Sequence, residues 1–366
     1  MTAAQDVRAD LSFLSVVADG PDDYVIGNGE TFVNVPGVAV AVIRALDGTR
    51  TAAEARARVL AERGEDVDVA AFVAGLEGAG LLARPSRPPN LWDRVRPGHV
   101  AWLFSRPADA LLALLTAAAV AAALADPRVL PSLSSLVWGN GLAFTVAFAA
   151  GSWLLVLVHE LGHVAAARSL GVRAELSLGT RMQFLVVQTR ITGIWAVPRR
   201  RRYRAYLAGM RVDWFLACAG ACLLYVADLP AVRLVMVICL SQIAWQFLFF
   251  MRTDVYYALA NAAGDKNLMA DAQAYLRAVL RRERPPARRS VRAYAWFLVA
   301  GRVLGLAFFA LYTVPITAEV CRRSLAGPPG WQPVATLALV AAGWLLYLYV
   351  LGRRVITSRR RRQQAV

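Results

Sequence analysis

The stretch "LLVLVHELGHVAAA", residues 154–167, decides how the chain is read. It is apolar enough to lie in a membrane, yet its centre holds His159, Glu160 and His163, two of the three histidines in the chain. Ionisable groups at membrane depth are costly and default to a functional reading. Four residues apart on a helix, the two imidazoles project from one face, one turn apart. That spacing lets both hold one zinc ion, with Glu160 beside the first placed to take a proton from water and pass it on. A catalytic zinc takes three protein ligands and keeps one position open. The third ligand is expected at the same depth. Asp254 follows an apolar run that also heads for the cytoplasmic side and is the candidate, with Asp265 and Asp271 as fallbacks.

Composition extends this reading. Hydrophobic residues make up 58% of the 366 and mean hydropathy is +0.46, too apolar for an ordinary soluble domain. The net charge of +16 is carried by arginine, with Lys266 the only lysine. The arginines cluster at 199–204, 281–292 and 353–362, at the ends of apolar runs, as the positive-inside pattern requires. Spans are expected at 108–125, 141–165, 213–230, 232–251, 293–314 and 332–351. With both termini cytoplasmic, all three clusters fall inside. The first 20 residues lack the basic start and apolar run of a signal peptide. Cys218, Cys222, Cys239 and Cys321 read as small buried residues. The expected fold is therefore mainly α: a polytopic helical membrane protein of about six transmembrane helices with a small N-terminal winged-helix-like α+β domain.

Residues 1–90 form that domain. "YVIGNGETFVNV" (24–35) reads as a hairpin, and helices are expected over 38–46, within 47–64 and within 69–84, the last ending at glycine. The second starts at the capping box of Thr51 and Glu54. "GETFVNVPGVAVAVIRALDGTRTAAEARARVL" (29–60) and "VAAFVAGLEGAGLL" (69–82) resemble PqqD-like proteins, the recognition elements of ribosomal peptide maturation. The resemblance implies that a precursor peptide docks through its leader as an added strand on the hairpin edge. The Pro- and Arg-rich stretch 84–98 reads as a linker; the domains are taken as 1–90, a linker 91–107, a membrane-embedded domain 108–352 and a basic cytoplasmic tail 353–366.

"HELGHVAAARSLGV" (159–172), "VPRRRRYRAYLAGMRVD" (197–213) and "RTDVYYAL" (252–259) resemble the site-2 protease class of intramembrane metalloproteases, and most closely its bacterial peptide-maturation branch. The likeness covers roughly 141–275. It implies Zn2+, one per chain, on His159, His163 and Asp254. The chain departs from the family in Val255 where a glycine is usual, in "FLFF" where an Asn-Pro step is usual, and in "AGM" for "AGP". "MQFLVVQTRITGIWAV" (182–197) reads as a β-hairpin that in this class helps hold the substrate strand. Gln242, Gln246 and Gln188 are candidate substrate-binding residues, the first two suiting helix–helix contact better. Asp213 is expected to pair with nearby arginines, Arg302 to snorkel or line a wet cavity, and His99 to have no role.

The expected function is a zinc metalloendopeptidase in a bacterial cytoplasmic membrane, with Glu160 catalytic, that removes the leader from a ribosomally made, modified peptide. The rivals are a site-2-type protease acting on membrane-spanning signalling proteins and a non-catalytic immunity or export factor. Membrane lipids are expected partners. A nucleic-acid partner is excluded, because residues 1–83 carry more acidic than basic groups.

Overall fold

The computed structural model describes residues 8–363 apart from 84–87, 89, 132–140, 182–183, 266, 284 and 328. The expected hairpin forms as β3 (Asp23–Gly27) against β4 (Phe32–Pro36), in register from Gly27↔Phe32 to Asp23↔Pro36. The Asn28 side-chain oxygen accepts from the N–H groups of Glu30 and Thr31 at 3.0 and 2.9 Å, and Gly29 takes φ +94°, which closes the turn. β2 (Ser15–Ala18) adds to the other side of β3, giving the order β2-β3-β4. β1 (Arg8–Asp10) pairs with β5 (Asp47–Thr51). The Thr51–Glu54 capping box starts a helix after Thr51, as expected, and residues 47–51 before it are strand.

Three helices complete the domain: α1 (Gly37–Ala45), α2 (Ala52–Arg63) and α3 (Val69–Gly78). They bury Ile26, Val42, Leu46, Ala55, Val59, Leu76 and Leu81 in one core. α3 ends at glycine as expected, its last residue being Gly78. Gly80 adopts φ +75°, a conformation open to glycine, and Leu81 turns back into the core.

The stretch expected as a linker is tied at several points to the domain that follows it, although many of its residues are exposed. Asn90 donates to the Ala174 carbonyl at 2.8 Å, and Arg168 reaches the Val95 carbonyl at 2.8 Å and Asp93 at 3.3 Å. The chain then runs through α4 (Arg106–Ala125), α5 (Gly141–Ser169), the short α6 (Arg199–Tyr206), α7 (Ala208–Val226), α8 (Pro230–Gln246), α9 (Asp254–Ala263) and α10 (Leu268–Leu280). It ends in α11 (Arg289–Phe308), a π turn (Phe309–Thr313), α12 (Val314–Ala326) and α13 (Trp331–Gln363). The molecule is mainly helical with a small N-terminal β-containing domain.

Among the described residues four helices are long and apolar enough to cross a membrane: α4, α5, α7 and the continuous stretch Arg289–Ala326. α8 and the apolar part of α13, Trp331–Leu346, are shorter. The fourth expected span, 232–251, ends at Gln246, because Phe247–Met251 fold into tight backbone turns. The arginine run expected as a tail continues α13 as far as Gln363; residues 364–366 lie outside the described part.

α5 and α7 approach closely through small residues. A Cβ at Gly162 would stand 3.1 Å from the Ala208 carbonyl oxygen. Cys218 and Cys239 are buried in one helical core, Cys218 with its thiol towards Thr116 of α4, and all four cysteines are unpaired. After α5, β6 (Arg173–Arg181) and β7 (Phe184–Thr192) make an antiparallel hairpin. It starts nine residues before the expected 182–197, and 193–197 form a turn instead. Arg302 is exposed on α11.

Ile26 is fully buried in the N-terminal core, so Ile26→Ala should cost about 2–5 kcal/mol. Hydrogen-exchange mass spectrometry of the full chain should show faster exchange of the β2–β4 amides.

Candidate metal centre

His159 and His163 sit on α5, ten positions and six positions before its last residue, Ser169. At 1.5 Å per residue His159 lies about 15 Å from that end, inside the apolar bundle. Asp254 arrives from the first position of α9, at the end of the non-helical turn 247–253. Three atoms converge there. His159 Nε2 and His163 Nε2 each lie 3.1 Å from Asp254 Oδ2 and 3.3 Å from one another. Two ligands each about 2.0–2.1 Å from one zinc at a tetrahedral angle stand about 3.3 Å apart. The donor set and its spacing therefore fit a single tetrahedral cation.

Each donor is held from behind. His159 Nδ1 faces Asp213 Oδ2 at 2.7 Å, and His163 Nδ1 faces the Ala205 carbonyl at 2.7 Å. Both contacts put the N–H on Nδ1 and leave Nε2 as the bare donor pointing into the cluster. Ala205 can offer its carbonyl because α6 breaks at Leu207, one residue before α7 begins, so no later amide of the same helix claims it. On the third side, Gln246 Oε1 accepts the Asp254 N–H at 3.0 Å, and Thr253 Oγ1 donates to the Gln246 carbonyl at 2.7 Å.

No family model, curated protein or solved structure matches this chain. What the cluster can do is argued from its geometry. His159, Glu160 and His163 also have ligand atoms within 4.8 Å of one another. Glu160 is nonetheless the poorer ligand, because its Oε2 accepts the Thr189 N–H at 2.7 Å while the Asp254 oxygen stands closer to both rings. The Thr189 hydroxyl also donates to the Glu160 carbonyl at 3.1 Å. β7 is thereby fastened along the helix turn that carries the motif, with the Thr189 amide aimed away from β6.

Asp265 and Asp271 are not part of the cluster. Asp265 accepts the Asn267 N–H at 3.0 Å, and Asp271 is exposed in the first turn of α10. Gln246, at the end of α8, holds Asp254 at the start of α9. Gln242, one turn earlier, has its Nε2 buried without a hydrogen-bond partner. Gln188 lies across Gly179 of the hairpin. His99 accepts the Arg96 N–H at 3.4 Å, within its own turn.

Two residues were misjudged or missed in the sequence. Asp213 is fully buried against His159 and does not pair with an arginine. Its signal was present, since Asp213 is the only acidic residue in the apolar helix α7. Gly209 has a steric reason that composition does not reveal: a Cβ there would collide with the His159 ring. The glycine of "AGM" is what lets α7 lie against that ligand. Val255 continues α9 and packs against the cluster that holds Tyr256 and Leu268, and the chain is non-helical at 247–253. There the Tyr294 hydroxyl donates to the Phe249 carbonyl at 2.7 Å and Gln246 secures Asp254.

Asp254→Ala should abolish tight zinc binding, whereas Asp265→Ala and Asp271→Ala should not. Asp213→Asn should weaken zinc about 10–100-fold, as loss of a supporting partner to a ligand does. Gly209→Ala should do at least as much damage by displacing His159. Competition against a chromophoric chelator measures all five.

Proposed function

We propose that the chain is a membrane-embedded zinc metalloendopeptidase that removes the leader from a ribosomally synthesised, modified precursor peptide. The observation that carries the reading is the convergence of His159 Nε2, His163 Nε2 and Asp254 Oδ2 at 3.1–3.3 Å, with Glu160 on the same helix turn. When bound, zinc supplies a Lewis acid that makes water nucleophilic near neutral pH and polarises the scissile carbonyl. The rest falls to side chains. Glu160 accepts the proton of the attacking water and returns it to the amine nitrogen as the carbon–nitrogen bond breaks. The Thr189 amide fixes one oxygen of that carboxylate and leaves the other for the proton. The buried surroundings keep bulk water from competing.

The PqqD-like character of residues 1–90 supports a peptide substrate recognised through its leader. The apolar helices and the arginine clusters support six crossings of a bacterial cytoplasmic membrane, with both termini inside. A membrane-spanning substrate, as in signalling by site-2 proteases, is the second reading; no contact in the described residues favours it.

Co-expression with short peptide genes from the same neighbourhood tests the proposal. Intact-mass measurement should find a peptide shortened by the wild type and left whole by Glu160→Gln. The variant should retain zinc, because Glu160 is not a ligand. A Glu160→Gln protein that still cleaves would refute the mechanism. Chelation of zinc should stop cleavage by the wild type, and adding zinc back should restore it.

A further inference from the structure

The cluster RRRRYR (199–204) reads in the sequence as surface charge, but Arg202 is 1% exposed. Its three donor nitrogens are all engaged. Nε donates to the Val197 carbonyl at 2.9 Å, Nη2 to the Trp195 carbonyl at 3.0 Å, and Nη1 meets Asp19 Oδ1 at 2.7 Å. The guanidinium also lies 4.9 Å over the Trp195 ring. Asp19 belongs to the N-terminal domain, in the turn between β2 and β3, and is itself buried. β2 and β3 rest on the turn Ile194–Ala196, and the Phe32 ring packs over Gly193, where a Cβ would stand 3.2 Å from it. A buried ion pair of this kind costs much to break by removing one partner, because the other is left charged and dry.

Arg202 lies one helical turn before Ala205, whose carbonyl holds His163 at 2.7 Å. Three residues the other way, Arg199 donates to the carbonyls of Asn261 and Ala262 at 2.5 and 3.0 Å, at the end of the helix that begins with Asp254. One eight-residue helix, α6, therefore touches the N-terminal domain, a candidate ligand and the helix bearing another. We infer that the N-terminal domain is a fixed part of the metal centre, and that Arg202, anchored by Asp19, is a positioning residue that sets the orientation of His163. The inference rests on the metal-site reading above. It gives the domain a second task besides any peptide recognition: completing the site it serves.

The test uses the full chain in detergent, with zinc affinity read by chelator competition and cobalt(II) as a spectroscopic probe. Asp19→Asn keeps the shape of the side chain and removes its charge. It should weaken zinc about 10-fold, the lower range for a group supporting a ligand. At saturating cobalt it should also shift the visible ligand-field band, because His163 is turned. Asp19→Glu, which keeps the charge, should bind more tightly than Asp19→Asn. Arg202→Lys, which keeps the charge but gives up the Val197 and Trp195 contacts, provides the same two readings should Asp19→Asn fail to fold. Arg200→Ala, an exposed change on the same helix, should leave both unchanged. Unchanged affinity and band in Asp19→Asn and Arg202→Lys would overturn the inference. So would weaker affinity with an unshifted band, since that is loss of stability and not of orientation. A wild type that binds neither metal would instead remove the metal reading itself.

Discussion

The constraint on which the structure depends is the placing of two imidazoles and a carboxylate within 3.1–3.3 Å of one another, out of water, inside an apolar bundle. Such groups cannot be left to find their own solvation. Each is therefore tied to a different element: His159 to Asp213 on α7, His163 to the end of α6, Asp254 to Gln246 on α8. Those ties require α5 and α7 to touch, hence Gly162 and Gly209. They require α6 to stop at Leu207 and α8 to stop at Gln246, so that a carbonyl and a side-chain amide are freed for the site.

Local parts of this arrangement were legible. The four-residue spacing of His159 and His163 is a property of one helix, and alternation with a glycine turn is a property of one hairpin. Asp254 could be reached from charge counting, because depth along a span is nearly one-dimensional. What the sequence hid is tertiary. The contact of Asp213 with His159 spans 54 positions and the Ala205–His163 contact 42, and neither leaves a periodic trace. Gly209 looks like any small residue in a packed helix until the ring beside it is known. The hairpin was placed too late because "AELSLGTR" mixes charge and glycine into its alternation, and the stretch 90–96 looked like a linker because its bonds are to distant backbone groups.

The arginines show how composition can be right in sum and uninformative in detail. Their clustering at the ends of apolar runs is the pattern that the positive-inside rule describes. Individually they differ: Arg199 closes the end of α9, Arg202 is sealed between domains, and Arg204 and Arg211 stand over the Phe104 ring. A guanidinium suits such places because its planar fork satisfies several carbonyls at once and it stacks on aromatic rings, which an ammonium does poorly. That chemistry is consistent with a chain whose basic residues are almost all arginine.

Asp254 is the first residue of α9, where the unpaired amides at a helix start favour negative charge. Gln246 on α8 and Tyr294 on α11 hold the turn before it. The carboxylate is therefore placed by contacts drawn from two other helices, and a shift of either one relative to α5 would move it against the two rings.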